Sequence, residues 1–266
     1  MAITTLDGII AGAQPPRSIL KAGATMEAVG VPHTFWYTAG IPGAASANAA
    51  GVNGASVSAV QTGQIPRSNP AAGNAYIAHL SATANVAGTL ILIDRLWHNS
   101  GLSTTSTTAQ SISPATLPAR DINASTNGEG VEAAVEWSAA GGAGTPTVTL
   151  TYTDSDGNTG ATGTFVGQAT PAAGTFEIFA LAAGDTGVRA PTSFIQSATR
   201  TSGTQHLVLF RRLAQVPVNG PGMGMVLDAI SGVRVEVPDD AVLQLLWVPS
   251  ATTAVNLQGM YVEAHG

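Results

Sequence analysis

The sequence contains no cysteine, one lysine (Lys21) among ten basic residues, 10% charged residues and 5% aromatic residues. The missing cysteine excludes a disulfide framework, a thiolate metal site and a cysteine nucleophile. Scarce Lys and Arg, with a formal net charge of −6, argue against a grip on phosphate backbones, which needs clustered cations. Arg211-Arg212 is the only adjacent basic pair and reads as part of a charged strand face. No long hydrophobic run occurs either. Apolar runs such as residues 90–93 are far too short for a bilayer, and the opening Met-Ala-Ile-Thr-Thr-Leu-Asp has no basic region leading into an apolar stretch. A soluble chain without a secretion signal is expected, with neither nucleic acid nor membrane as a direct partner.

What is present is a 266-residue chain that is 44% hydrophobic, enough to bury a core and too apolar for disorder. The apolar share rests largely on Ala and Val, so the core is made of small residues. The few charges cannot populate the surface of an ordinary monomer. Either Ser, Thr and Asn coat it, or much of it is buried against other chains, and the second reading is favoured.

Residues 1–75 are punctuated by Gly and Pro and read as an extended amino-terminal arm. Within it, residues 17–29 follow two prolines and carry Ile19, Leu20, Ala24 and Val29 in loose helical spacing, which predicts a short helix. Phe35-Trp36-Tyr37 stands between two proline-containing turns and reads as a core plug or edge anchor ahead of a subunit contact.

Residues 76–266 read as the β body. Residues 89–93 form a continuous apolar run suited to a strand buried on both faces. Residues 147–153 alternate Val148, Leu150 and Tyr152 with threonines, the period of a half-buried strand. They lead through Asp154-Ser155-Asp156-Gly157-Asn158 into residues 163–166, which predicts a hairpin. Further strands are expected at 176–181, 187–195, 206–213, 225–230, 233–237, 242–248 and 257–263. Short strands at this spacing predict a mainly β, antiparallel sandwich or barrel, jelly-roll-like among the options, with one or two short helices.

Candidate chemistry is sparse. Asp154 and Asp156 sit two apart before a glycine, as calcium loops do, but position 165 is Phe where a bidentate Glu is needed, so a polar turn is the better account. The run Asn219-Gly220-Pro221-Gly222-Met223-Gly224-Met225 matches no nucleotide fingerprint and reads as a tight loop. His33, His79, His98, His206 and His265 are scattered singly. Glu129, Glu132 and Glu136 are read as a short helix, with Glu132 and Glu136 on one side as the acid pair of a conceivable glycosidase. Asp239-Asp240 reads as a turn, and Asn123-Ala124-Ser125 as a chance glycosylation match. No Gly-x-Ser-x-Gly elbow occurs. No catalytic, cofactor or metal residue is therefore assigned, no cofactor is expected, and the chain is read as a non-enzyme.

Residues 94–101 (Asp94-Arg95-Leu96-Trp97-His98-Asn99-Ser100-Gly101), the Ser/Thr loop after them, Pro118-Ala119-Arg120-Asp121 and Gly184-Asp185-Thr186-Gly187-Val188-Arg189 resemble strings in structural proteins of tailed-bacteriophage and prophage head and tail modules. The resemblance covers residues 90–215 and carries over no residue roles. It implies a virion component in many copies, a capsid-decoration or minor head protein assembled in the host cytoplasm. Its partners would be the major capsid protein or other virion subunits, and further copies of itself in a homo-oligomer. A tail tube or baseplate protein is the close competitor. A carbohydrate- or receptor-binding module, stacking sugars on Trp97, Trp137 or Trp247, comes next, and an acid-pair polysaccharide hydrolase last.

Overall fold

A computed structural model describes residues 3–23, 28–49, 51–114, 116–229 and 234–266. In chain order its elements begin with α1 (Leu6–Ala11), β1 (Arg17–Ala22), β2 (His33–Thr34), β3 (Gly40–Ile41), β4 (Ala55–Ser56), β5 (Ala75–Ala84) and β6 (Gly88–His98). Next come β7 (Gln110–Ser111), β8 (Glu132–Ala139), β9 (Thr147–Asp154), β10 (Thr159–Val166), β11 (Phe176–Ile178) and β12 (Val188–Gln196). The last are β13 (Thr204–Val218), β14 (Met225–Asp228), β15 (Glu236–Val237), β16 (Leu243–Pro249) and β17 (Asn256–His265). The protein is mainly β and antiparallel, with one short α-helix among the described residues.

The chain forms two compact units. Unit 1 takes Met1–Ser46, Ser58–Asp94 and Arg212–Gly266, and unit 2 takes Ala47–Val57 and Arg95–Arg211. The divide therefore falls inside β6 and inside β13, and not at residue 75. Of the segment read as an arm, β1 lies inside a sheet of unit 1, hydrogen-bonded to β17 on one side and β3 on the other.

In unit 1 one sheet has the order β14-β5-β17-β1-β3, with β15 also on β5. In the second layer, β16 pairs with residues 88–94 of β6 and with β2. Ile19, Leu80, Ala82, Leu257 and Tyr261 of the first layer pack against Leu90, Leu92, Leu243, Leu245 and Trp247 of the second. Phe35 joins this core and Trp36 is equally buried, the plug role expected of the aromatic cluster.

In unit 2 the sheet β10-β9-β12-β7 faces β8, which pairs with β11 and with residues 204–210 of β13. Val148, Leu150, Tyr152, Val188 and Phe194 meet Ala133, Val135, Trp137, Leu207 and Leu209. The alternation along β9 places its apolar residues in this core and leaves Thr147, Thr149, Thr151 and Thr153 outward, partly or fully exposed. β9 and β10 form the expected hairpin, closed by Asp154 N donating to Asn158 O at 3.0 Å. Gly157 at φ +90 supplies the left-handed residue of that turn.

Two expected helices are strands. At residues 17–29 the described part forms β1, with Ile19 and Lys21 inward and Leu20 and Ala22 outward; residues 24–27 lie outside the described set. Residues 129–136, read as a helix from their Glu and Ala, run largely into β8, because Ala133, Val135 and Trp137 fill the core at every second position. Cross-strand burial overrides local helix propensity in both places. Helix α1 is capped by Thr5, whose Oγ1 accepts from Gly8 N at 3.1 Å. The strands expected at 225–230 and 233–237 run into residues 230–233, which are outside the described set.

Lys21 is the oddity of β1, since its side chain points inward and is 1% exposed. Its Nζ donates to Thr38 O at 2.8 Å and to Pro42 O at 2.5 Å, holding the Gly/Pro loop against the sheet. Burial lowers its pKa from 10.5 to about 8. Between those values the unfolded chain holds a proton that the folded chain has released, so folding stability rises with pH. The urea midpoint should climb from pH 8 to 9.5, below the range where tyrosines ionise, and this slope should vanish in Lys21→Met.

Candidate functional site

A large share of the few charges of this chain is spent inside it. Lys21, Arg95, Arg120 and Arg200 are buried, as are Asp94, Asp121, Glu136, Asp154, Glu177 and Glu263. Most of them satisfy the backbone of loops that have no ladder of their own. Arg120 donates to Val57 O and Arg95 O at 3.0 and 3.1 Å. Arg200 donates to Gly142 O, Ala169 O and Gln168 O while its guanidinium lies 5.2 Å from the Trp137 ring centre. Asp121 accepts from the backbone N–H groups of Asn123, Ser125, Gly128 and Glu129 and from Ser125 Oγ. Burial pushes the Asp121 pKa up, but these hydrogen bonds, led by those from Ser125, outweigh it and hold the carboxyl below its ordinary value.

One surface is correspondingly bare of charge. On the outer face of the β14-β5-β17-β1-β3 sheet in unit 1, Leu20 stands opposite Gln258 and Ile41, and Met260 opposite Ser18 and Ser81. Val226 stands on the other side of Ser81. Leu20, Ile41 and Val226 are about half exposed (48, 48 and 50%) and Met260 is 36% exposed. None of these face positions, nor Thr83 and Asn256 beside them, carries a charge; Asp228, two residues after Val226, ends β14. Helix α1 covers the other end of the same face, with Ile3 and Ile9 packed on Tyr76 and Ala264. The outer side of that helix presents Leu6 and Ile10 to solvent, at 47 and 67% exposure. These two are one turn apart and form a ridge. Isolated exposed apolar residues are ordinary, whereas an uncharged sheet face with an apolar helix ridge at its end has the character of a contact surface.

The residues weighed for chemistry are placed differently. Glu136 is fully buried, with Oε2 2.8 Å from Arg95 Nη1. Glu132 lies four residues away on the same strand, about 13 Å along the backbone at the ~3.3 Å rise of β structure, while the Glu136 carboxylate is sealed in the core and tied to Arg95, so the two do not flank an open cleft. Glu129 instead accepts from Thr186 Oγ1. Trp97, Trp137 and Trp247 are at most 1% exposed, so none offers a stacking face to a sugar. Asp154 spends both oxygens on Asn158, N and Nδ2, and no group of three potential metal ligands occurs among the described residues. The loop at 219–225 joins β13 to β14, with Met225 against the core and Met223 exposed. Asp240, at φ +58, closes a turn through Asn69, Ser125 belongs to the Asp121 loop, and Arg211 donates to Asp121 O.

The structure does bring two of the histidines together in unit 2. His98 lies beside Arg95 Nε through Nδ1 and beside Ala49 N through Nε2, and as a neutral ring it accepts at only one of the two. His206 bonds Asn99 O through Nδ1 and Ser138 Oγ through Nε2. All four ring nitrogens thus face polar groups of the protein. Burial, then the Arg95 charge, pushes His98 down to about 2, and burial also lowers His206, so both rings are neutral at pH 7. With Glu136 and Arg95 they form one buried polar network. Sequence spacing gave no sign of it, because His206 and Arg95 come from β13 and β6 and meet Glu136 of β8 only after the strands pair.

No protein-family profile matches the chain, and no curated protein matches it. The class defined by the fold is an antiparallel β-sandwich protein of two compact units, charged within and nearly uncharged over one sheet face. Removing one partner of a fully buried ion pair leaves the other charge uncompensated. Glu136→Gln should therefore lower unfolding free energy by about 3–5 kcal/mol, read from urea denaturation.

Proposed function

We propose that this protein is a structural subunit that works by packing against other subunits, and that its setting is the virion of a tailed bacteriophage, as a capsid-decoration or minor head protein. The observation that carries the assembly reading is the uncharged outer sheet face of unit 1 with its Leu6/Ile10 ridge. Burying a flat apolar and amide-rich face against another chain gains hydrophobic free energy of roughly 25 cal/mol per Å² of apolar area and strands no charge in the contact. A surface meant only for water would carry Lys and Glu there, as exposed sheet faces and edges commonly do. The virion setting rests on the resemblance of residues 94–101, 118–121 and 184–189 to strings in phage head and tail proteins. Copies of the chain and the major capsid protein are the proposed partners, and the mode of contact is distributed burial, with no reacting group. β1 is hydrogen-bonded on both edges, so face packing replaces arm exchange as the mechanism.

Charges placed on the face test this reading. Leu20→Lys with Met260→Lys should leave thermal unfolding nearly unchanged, since both side chains are exposed in the isolated chain. Light scattering and electron microscopy of the purified wild-type protein should show higher-mass species, and the same pair of substitutions should abolish them together with binding to capsid shells. Wild-type protein that stays monomeric at high concentration and ignores shells would overturn the proposal.

A further inference from the structure

Asn-Gly pairs stand at three places in the chain, Asn53-Gly54, Asn127-Gly128 and Asn219-Gly220. Such a pair can react with itself, because a glycine puts no side chain in the way when its amide nitrogen turns on the preceding carboxamide. Reaction needs that nitrogen to lose its proton and both partners to move, so a hydrogen bond on either one slows it. In unit 2 both pairs are held. Gly54 N donates to Gly51 O at 3.2 Å and Asn53 Oδ1 accepts from Ser113 N at 2.8 Å. Gly128 N donates to a carboxylate oxygen, Asp121 Oδ2, at 3.1 Å, and an N–H bonded to an anion gives up its proton with difficulty.

Asn219-Gly220, in unit 1, is placed otherwise. Asn219 is exposed, and among the described residues neither its side chain nor Gly220 N takes part in a hydrogen bond. The pair leads into a turn closed by Met223 N donating to Gly220 O at 3.1 Å, with Pro221 and Gly222 at the corners and Gly222 at φ +71, the left-handed residue that such a turn demands. Gly220 is buried, but apart from its chain neighbours the atoms nearest to where a side chain would stand on it are Sδ and Cγ of Met223, at 3.4 and 3.9 Å. That cover is a pliable side chain which is itself 58% exposed.

We propose that Asn219 is a self-modification site at which the chain converts its own carboxamide into a carboxylate. Gly220 N, its proton taken by hydroxide, bonds to Asn219 Cγ, and the Cγ–Nδ2 bond breaks as Nδ2 picks up a proton and leaves as ammonia. Water then opens the resulting cyclic imide at one of its two carbonyl carbons, giving aspartate, or isoaspartate with the chain routed through the side chain. Either product carries a negative charge where the Asn had none. The loop meets the sheet through Gly222 N, which donates to Ala84 O at 2.9 Å, at the end of β5 away from Tyr76, where α1 packs. The charge therefore arrives at the rim of the uncharged outer face, at the end opposite the Leu6/Ile10 ridge. The reaction depends on this local geometry alone and holds whether or not the face binds another chain.

Trypsin sorts the three pairs onto separate peptides, residues 22–67, 121–189 and 213–234. The folded whole chain is held in mildly alkaline H₂¹⁸O and digested in ordinary water, so that ¹⁸O marks only acid formed in the folded protein, and tandem mass spectrometry places the label. Asn219 should take it up faster than Asn53, and at least about ten-fold faster than Asn127, the factor that one hydrogen bond to a charged group is worth. The lead should vanish in urea, where all three pairs are free. Gly220→Ala, whose added methyl makes only ordinary contact with Met223, should slow labelling at Asn219. Labelling at Asn219 no faster than at Asn53 or Asn127, a lead that persists in urea, or an unchanged rate in Gly220→Ala overturns the proposal.

Discussion

Buried charge bonded to loop backbone is the constraint on which this structure depends. A Gly- and Pro-rich chain has long stretches whose carbonyl and amide groups find no partner in a sheet, and each such group costs free energy when it is covered. Here Arg120, Arg200, Lys21 and Asp121 reach into those stretches and satisfy several groups apiece. A charged donor or acceptor makes stronger hydrogen bonds than a neutral one, and an arginine can serve several carbonyls at once. The irregular segments are thereby tied to the sandwiches they cross.

The same use of charge explains the surface. With 10% charged residues in the sequence, every charge taken inside is one fewer to keep a face wet. The outer face of the unit 1 sheet is where that depletion is most visible, and its Ser, Thr, Asn and Gln keep it polar enough for water without making it costly to bury. In unit 2 the buried charge takes another form. Arg95, Glu136, His98, His206 and Asn99 share one network on β6, β8 and β13, with both imidazoles neutral. Such a network ties the pairing of three strands to one arrangement, since a slip in register would separate the ion pair and leave its members buried alone.

Much of the fold was legible along the chain. The alternation Val148, Leu150, Tyr152 names a strand and its buried face, and the Asp154 to Asn158 run names the hairpin turn. The misread elements share one cause. The stretches that form β1 and β8 carry Lys, Glu and Ala, which favour helix locally, and only their partners in the sheet make the extended form the better one. The candidate surface was legible as a deficit of charge, but its position was not. Leu20, Ile41, Met260 and Val226 lie on four strands from opposite ends of the chain, and nothing in their spacing says they share a face.

The sequence by itself determined the class: mainly β and antiparallel, held together without disulfides. It did so because period-two alternation and turn residues are local signals that survive in any context. Only the tertiary structure decided where the charges go, which strands cross from one unit to the other, and which apolar residues stay outside. Those outcomes depend on which strands pair and on which carbonyls are left bare once they have paired. A side chain such as Lys21 is an ordinary surface residue in the sequence and becomes a buried clamp only when Thr38 and Pro42 fold over it.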